Sequence, residues 1–310
     1  MIDLGLVVAR LLHYAAVTTL AGVSFFPLYA YTATEPKQLF RRRQAVIFST
    51  AIAALISGLL WFGCSVANMS GTWAGVSDQE VLWTVLKETT FGSVWMARML
   101  LAVVILGVTV AHPFWTAKTG RGLVTACLAA MLLASFAGTG HTQTEEGWMG
   151  LVHVGSDAAH LLAAGAWLGG LVPLGFILLD YSGRDGQPIV DVDRILLRFS
   201  SMGYVAVASL IASGLVNCFF LVGSVSSLPT TPYGQILLGK IALFTAMLAL
   251  AAANRFWIVP RMIETRTARS GELAFWLGRL RNHVLGEQFL GLMILLAVSV
   301  LGIMPPTTSQ

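Results

Sequence analysis

Long apolar runs dominate this chain and constrain its fold more than any other feature. A helix needs about 20 apolar residues to cross the hydrocarbon core of a bilayer, and about eight runs reach or approach that length. They lie near residues 4–31, 46–68, 93–113, 122–139, 151–179, 197–223, 234–258 and 284–304. Only 11% of the residues are charged, whereas soluble domains carry about 25%. Because open sheet edges are not tolerated in lipid, the runs predict an all-α, polytopic membrane protein.

Basic residues are distributed unevenly among the loops between these runs. Most lysines and arginines fall in or beside alternate loops, and the other loops carry only Lys87. The positive-inside rule therefore predicts that both termini lie outside. The net charge of +4 reflects this asymmetry, so we expect a lipid bilayer as surroundings and no nucleic-acid partner. The first residues lack the basic start of a signal peptide, which predicts that the first run is retained as a helix.

Two of these runs resemble each other around a central histidine. His13 and His160 each lie about nine residues inside their run, and each is followed nine positions later by a glycine, Gly22 or Gly169. At about 1.5 Å per residue, both imidazoles are roughly 13 Å deep in a hydrocarbon slab about 30 Å thick. An ionisable group at this depth is expensive to hold, which makes the pair a candidate functional site.

The similarity extends beyond the histidine runs. Residues 91–98 and 233–240 share one order of residue types, so that Arg98 corresponds to Lys240. The second and sixth runs also share a serine-glycine pair, at residues 57–58 and 213–214. We predict two four-helix repeats, residues 1–140 and 141–310, related by a pseudo-twofold axis along the membrane normal. The alternative is chance similarity between apolar, glycine-rich helices.

Few ionisable residues lie inside the runs, and each needs a partner or water there. They are Arg10, His13, Arg98, Asp157, His160, Lys240 and Glu287. Asp157 precedes His160 by one helical turn, so it can accept a hydrogen bond from the imidazole and fix its tautomer. The alternative is a structural ion pair of Asp157 with Arg10 between the halves. Arg98 and Lys240 are either site residues or anchors that snorkel to the outer surface.

A second group of metal-binding residue types lies towards the outer side of the second half. His153 is seven positions before His160 on nearly the same helical face, Met149 is one turn before His153, and His141 follows the fourth run. Imidazole and thioether ligands suit copper better than magnesium or calcium. Together, His141, Met149 and His153 predict an outer site for a copper ion. Singly, each histidine can also be an ordinary polar residue of the interface.

Motifs for hydrolysis and phosphoryl transfer are missing from the sequence. It contains no nucleophile elbow, glycine-rich phosphate loop, zinc-protease helix or pair of facing catalytic carboxylates. We therefore expect a protein that is not an enzyme, unless it carries a redox cofactor.

Several motifs, most of them in the second half, are similar to those of a known family. They are Gly140-His141, Asp157-x-x-His160, residues 166–171, Arg198-Phe199-Ser200, Ser213-Gly214, Tyr233-Gly234, Leu237-Leu238-x-Lys240, Asn254-Arg255, Pro260 and Glu287. In these motifs the chain resembles the CopD family of bacterial inner-membrane copper proteins, over most of residues 1–304. The resemblance implies copper resistance or uptake at the bacterial inner membrane, and one CopD-like membrane domain made of both repeats.

The resemblance also implies a partner. Proteins of the CopD family are often encoded with, or fused to, a small periplasmic copper-binding CopC domain. The tail after residue 304 is too short for such a domain, so we expect any CopC-like partner to be a separate protein.

Two functions fit these residues. In the first, the protein transports copper, which loads at the outer histidines and Met149 and then reaches a midplane site formed by His13 and His160. The supporting residues would be Asp157, Arg10, Arg98, Lys240 and Glu287. In the second, His13 and His160 are the axial ligands of haem b in a membrane electron-transfer protein. The resemblance favours copper transport.

Overall fold

The chain folds into a helical bundle. The computed structural model describes residues 2–31, 35–111, 118–138, 147–182, 191–267 and 272–306, and these ranges contain helices and no β-strand. The helices are α1 (Ile2–Ala30), α2 (Lys37–Ser70), α3 (Gln79–Glu88), α4 (Thr90–Val110), α5 (Lys118–Ala134), α6 (Gly147–Ala164), α7 (Leu171–Ser182), α8 (Val192–Val222), α9 (Ser227–Thr230), α10 (Pro232–Ala253), α11 (Val259–Thr267) and α12 (Leu273–Leu301). The predicted all-α class is confirmed.

Short turns of other helical types connect some of these helices. Two are π-helical: the first, Gly165–Gly169, joins α6 to α7, and the second, Asn254–Ile258, joins α10 to α11. Two 3-10 turns lie at Trp73–Ser77 and Ser135–Gly138. A π-helical turn shifts the helical register by one residue and is frequent at functional sites.

Most of the predicted spans are present as long apolar helices. Within the described ranges, seven segments are long and apolar enough to cross a membrane. They are Ile2–Ala30, Lys37–Ser70, Thr90–Val110, Gly147–Tyr181, Val192–Val222, Pro232–Arg266 and Leu273–Leu301. The fourth predicted run, 122–139, contains the shorter apolar helix Gly122–Ala137. The protein is therefore a multi-span membrane protein, and an eighth span stays a prediction.

The helices of the third and seventh runs begin in the same way. Thr89 Oγ1 accepts a hydrogen bond from the Gly92 N–H at 3.0 Å, and Thr231 Oγ1 accepts one from the Gly234 N–H at 3.1 Å. These threonines are N-caps of α4 and α10. A Cβ at either glycine would lie within 2.4 Å of a carbonyl oxygen in the preceding segment. The aromatic-glycine pairs of the sequence therefore lie at the starts of α4 and α10. The preceding segment packs closely against the glycine of each pair.

Helix α1 contacts both halves of the chain. It packs against α2 and α5, and also against α7, α8, α12 and the first π-helical turn. Its backbone touches that turn at Gly22, where an added Cβ would lie 2.3 Å from the backbone of Gly169. Small residues permit such close approach of membrane helices. The two glycines in contact are those that follow His13 and His160 by nine positions.

Two helix pairs pack closely in the second half. Helix α6 packs against α8, and α10 packs against α12. Buried apolar residues such as Leu178, Met247 and Leu280 form one core beside these pairs, while Ile47 and Ile105 belong to a second core around α1, α2, α4 and α5. The candidate site lies where α6 meets α8.

Candidate functional site

The His160 imidazole is held by a serine of the neighbouring helix α8. Its Nδ1 lies 3.0 Å from Ser213 Oγ. The Ser213 hydroxyl donates its hydrogen to the Ser209 carbonyl, so it accepts from the imidazole and Nδ1 carries the hydrogen. This network assigns an unprotonated Nε2 to His160. An imidazole in that state is a metal ligand.

Other polar side chains of α6 share the same contact with α8. We call this contact the polar seam; it is formed by His153, Ser156, Asp157 and His160 of α6 with Ser213 and Asn217 of α8. Asp157 Oδ1 accepts a hydrogen bond from Asn217 Nδ2 at 3.1 Å. The His153 ring is buried and stacks on Phe220 with centroids 4.5 Å apart. The helical face predicted to carry His153, Asp157 and His160 therefore lies against a neighbouring helix.

Charges of both signs lie at the polar seam. Lys240 of α10 is half-buried and close enough to Asp157 for their charges to interact. Asp157 follows His153 by four positions and precedes His160 by three, so the carboxylate lies between the two imidazoles. The order imidazole, carboxylate, imidazole extends over about 10 Å along the helix axis.

His13 makes the same serine contact in different surroundings. Its Nδ1 lies 3.0 Å from Ser57 Oγ, and the Ser57 hydroxyl donates to the Ala53 carbonyl at 2.6 Å. The imidazole is 1% exposed and lies edge-on to Trp61 and Phe136, with ring centroids 5.5 and 5.4 Å away. Its Nε2 is buried and makes no hydrogen bond within the described part of the chain. Nε2 is again the unprotonated nitrogen.

Arg98 lies against the same aromatic rings as His13. Its guanidinium carbon is 4.5 Å from the Phe136 ring centroid and 5.2 Å from that of Trp61. It donates hydrogen bonds to Ser135, to Oγ at 3.0 Å and to the carbonyl oxygen at 2.8 Å. The side chain is 0% exposed, so of the two interpretations the interior position applies and Arg98 does not snorkel to the surface.

Each of the two histidines makes its hydrogen bond within its own half, and a midplane site shared by His13 and His160 stays a prediction. Among the described residues, the side chains that contact His13 and those that contact His160 have no member in common. Each imidazole turns towards the second long helix of its own half, because a serine there supplies the hydrogen bond. Ser213, not Asp157, is the partner that fixes the His160 tautomer. Asp157 lies one turn before His160 on α6 and meets α8 at Asn217, one turn beyond Ser213.

The ion pair considered for Arg10 and Asp157 is also not formed. Arg10 donates to the Gly302 carbonyl at 2.9 Å and to the Tyr14 hydroxyl at 3.0 Å. Asp157 is bonded to Asn217 instead. Arg10 therefore joins the start of α1 to the end of α12, where helix carbonyls lack partners within the helix.

The predicted outer copper ligands are only partly described. His141 lies outside the described residues, and Met149 is 39% exposed near the start of α6. In the ranges that the structure covers, no three His, Cys, Asp or Glu side chains meet in a metal-binding arrangement. An outer site of His141, Met149 and His153 stays a prediction.

Glu287 is buried in another part of the bundle. Its carboxylate accepts hydrogen bonds from Trp167 Nε1 at 3.3 Å and from Asn254 Nδ2 at 2.7 Å. These two donors belong to the two π-helical turns. Glu287 therefore connects three segments of the second half and is separate from the polar seam.

Sequence reasoning missed the serine partners of the histidines. Ser57 and Ser213 stand out in the sequence only as part of the repeat, although serine in a membrane helix commonly bonds back to a carbonyl one turn earlier and can then accept from a neighbour. The following glycines let the rings approach: a Cβ on Gly58 would lie 3.3 Å from His13 Cε1, and one on Gly214 would lie 3.7 Å from His160 Cε1. The repeated serine-glycine pair was the available signal.

These features define a class of protein. It is a helical membrane protein with several imidazoles inside its spans, and the serine contacts of His13 and His160 leave Nε2 of both rings unprotonated. In the second half a carboxylate lies between two of them. Ionisable groups in such positions mark ion, proton or electron pathways.

Comparison with known proteins identifies the family. Two families match: "Copper resistance protein D-like, N-terminal domain" over residues 1–151, and "Copper resistance protein D" over residues 193–301. Copper resistance protein D of Pseudomonas syringae pv. tomato is 31% identical over 97% of this chain and 96% of its own length. The chain belongs to the copper resistance protein D family, which confirms the resemblance stated above.

Two further relatives extend the comparison. The inner membrane protein YebZ of Escherichia coli is 29% identical over 96% of this chain and 97% of its own length. The copper transport protein CutJ of Bacillus subtilis is 30% identical over 84% of this chain and 48% of its own length. No solved structure matches the chain.

Proposed function

We propose that this protein transports copper across the bacterial inner membrane and that the polar seam is part of the copper path. One observation carries the proposal: the Ser213 contact leaves His160 Nε2 without a hydrogen inside a membrane span, on the helical face that also carries His153. The names of two relatives, a copper resistance protein and a copper transport protein, support the choice of metal.

The seam offers copper successive ligands in place of one closed site. Copper would meet Met149 and His141 at the outer end, then His153, and then His160. A conducting path needs binding that is strong enough for entry and weak enough for exit, which single imidazoles supply better than a cage of several ligands. Asp157, between the imidazoles, would lower the electrostatic cost of bringing a cation to this depth.

We further propose the two-repeat organisation, residues 1–140 and 141–310, with eight spans and both termini in the periplasm. Three observations support the repeat. Each half has a histidine-serine contact of 3.0 Å, a threonine-capped helix that begins with an aromatic-glycine pair, and a glycine nine positions after the histidine. Contact between the equivalent Gly22 and Gly169 is expected near a pseudo-twofold axis.

The proposal includes a copper donor and a defined type of activity. A separate periplasmic CopC-like protein would deliver copper to the outer end of the seam. The chain would move the ion without a chemical transformation, so it would not be an enzyme.

Copper uptake by liposomes that contain the purified protein tests the function. Copper inside the liposomes is measured after external copper has been chelated. We expect uptake by the wild type, almost none by His160→Ala, and wild-type uptake by His283→Ala, which removes a half-buried imidazole on α12. Uptake by His160→Ala at the wild-type rate would exclude the seam as the copper path.

The same preparation tests the haem alternative. Axial ligation of haem b also requires an unprotonated Nε2, which both histidines have. Copper transport predicts a colourless protein as purified. A Soret band that is lost in both His13→Ala and His160→Ala would assign the histidines to haem and overturn their role in copper transport.

A further inference from the structure

Glu287 is a buried carboxyl group within the membrane-spanning helix α12. It lies fourteen residues from each end of α12, Leu273–Leu301, and is 2% exposed. A charged carboxylate buried inside a membrane protein is expensive unless it is compensated. Its placement therefore needs an explanation beyond packing.

The compensation comes from neutral donors. The carboxylate accepts from the Trp167 indole at 3.3 Å and from the Asn254 amide at 2.7 Å, and no Lys, Arg or His forms an ion pair with it among the described residues. Two N–H donors stabilise the ionised form, while burial stabilises the neutral form. Opposing effects of this kind allow both protonation states to be populated.

Other charged and titratable groups lie on α12 and on the elements packed against it. The elements packed against α12 are α1, α7, α10, α11 and the two π-helical turns. Their groups, with those of α12 itself, are Asp3, Arg10, His13, Tyr14, Tyr29, Asp180, Tyr181, Tyr233, Lys240, Arg255, Arg261, Glu264, Arg266, Arg279, Arg281 and His283. Several of them have partners elsewhere: Arg10 with Gly302, Asp180 with Arg42, and Arg266 with Asp193.

The Asn254 amide can serve both protonation states of the carboxyl. In the described arrangement Nδ2 donates to Glu287 Oε1, and Oδ1 of Asn254 is buried without a hydrogen-bond partner. If a proton binds to Oε1, a half-turn of the amide brings Oδ1 to accept the new O–H. The exchange forms one O–H bond, neutralises one charge and needs no other reactant.

Both donors lie on π-helical turns, which are local irregularities of a helix that are frequent at functional sites. The first turn also carries Gly169, which touches Gly22 of α1, and Ala166, whose carbonyl accepts from the Tyr29 hydroxyl at 3.2 Å. A change in the Trp167 hydrogen bond would therefore reach the contact between α1 and the second half. The second turn would respond to protonation of Glu287 through the hydrogen bond of Asn254.

We propose that Glu287 is a buried proton-binding site, whose occupancy is linked through the two π-helical turns to the movement of copper. The link to copper rests on the proposed function, whereas the proton site does not. A buried carboxyl of this kind is the usual proton carrier of membrane transporters.

Infrared difference spectroscopy tests the proton site directly. Spectra of the purified protein at low and high pH are subtracted, and the carbonyl band of a buried protonated carboxyl is followed. We expect this band in the wild type and in Glu272→Gln, which alters an exposed carboxyl just before α12, and its loss in Glu287→Gln. Persistence of the band in Glu287→Gln would overturn the proposal.

A milder variant guards against misfolding of Glu287→Gln. Trp167→Phe removes one donor while keeping an aromatic ring and the carboxyl itself. The band should remain and shift in frequency, because the hydrogen bonding of the carboxyl has changed. A band unaffected by Trp167→Phe would show that the titrating group is not Glu287.

Copper flux tests the link. In liposomes that contain the wild type or Glu272→Gln, a pH gradient should change the initial rate of copper uptake by about fivefold or more, and Glu287→Gln should take up copper at a rate independent of the gradient. If the rate of copper uptake by the wild type does not change with the pH gradient, the link between proton binding and copper movement is wrong, although copper transport itself would stand. If no variant moves copper, the proposed function fails, and the infrared result alone decides the proton site.

Discussion

His13 and His160 make the same contact with serine, and each lies near a basic residue, Arg98 in the first half and Lys240 in the second. Each Nδ1 lies 3.0 Å from a serine oxygen. In the first half, the guanidinium of Arg98 lies over the aromatic rings that His13 also contacts. In the second half, Lys240 interacts with His160 and also with Asp157, a carboxylate one turn from His160 that offsets the charge of Lys240.

The difference separates two roles for similar imidazoles. A basic residue near the imidazole repels a copper cation in both halves, and only the second half has a carboxylate, Asp157, that offsets this repulsion. The ring of His13 is also enclosed by Trp61 and Phe136, whereas His160 is half-buried along a seam of polar side chains. We therefore expect copper affinity to belong mainly to the second half and His13 to contribute mainly to the stability of the first. The predictions that follow test this division.

Removing the His13 ring should give the largest loss of stability. His13→Ala leaves a cavity between Trp61 and Phe136, which should lower the free energy of unfolding by about 3 kcal/mol. His160→Ala should cost less because its ring is only half-buried. Thermal unfolding of both variants in detergent, with His283→Ala as control, measures the difference. Equal losses for His13→Ala and His160→Ala would remove the distinction between the two sites.

The contact between the halves should be the next most sensitive feature. A methyl group at Gly22 or Gly169 would overlap backbone atoms, so Gly22→Ala and Gly169→Ala should each destabilise the protein by about 1–3 kcal/mol. Gly155→Ala is a matched control on α6, because nothing lies within 4 Å of an added Cβ there. If Gly22→Ala and Gly155→Ala unfold at the same temperature, the halves do not pack through this contact.

Asp157 should affect copper more than any charged residue of the first half. Asp157→Asn keeps a side chain that can bond to Asn217 but removes the negative charge of the seam. Copper affinity should fall about tenfold, as measured by competition with a chelator. Asp191→Asn, at an exposed N-cap carboxylate, should match the wild type. A tenfold loss in Arg98→Gln but not in Asp157→Asn would reverse the comparison.

The smallest expected effect comes from the two serines. Ser213→Ala removes the group that fixes the His160 tautomer and should weaken copper binding by a factor of about five, equivalent to roughly 1 kcal/mol. Ser57→Ala should leave the affinity near the wild-type value, as should the exposed control Ser201→Ala. Equal weakening by Ser57→Ala would place copper at both histidines.

The helical face of α6 was predictable from the sequence, and its partners were not. Residues 153, 157 and 160 fall on one face by helical spacing alone, and the structure has that face against α8. Which side chain of α8 meets His160 depends on the rotation and offset of two helices that are 53 residues apart at the contact. Composition and periodicity contain no information on that offset, so Asp157 was preferred to Ser213.

The two buried charges Arg98 and Glu287 show a second limit. Both were recognised as ionisable residues within apolar runs, but depth along a helix does not distinguish the lipid-facing side from the interior. Arg98 is interior because Ser135 and two aromatic rings lie around it. Glu287 meets donors on two π-helical turns, and such turns shift the register in a way that regular periodicity cannot predict.

X-ray absorption spectroscopy of the copper-loaded protein tests the central claim most directly, because it detects imidazole nitrogen bound to the metal. Three samples are needed: the wild type, His160→Ala and His13→Ala. The account predicts imidazole scattering in the wild type, its reduction together with the amount of bound copper in His160→Ala, and a spectrum in His13→Ala like that of the wild type. Loss of the imidazole signal in His13→Ala with an unchanged spectrum in His160→Ala would contradict it.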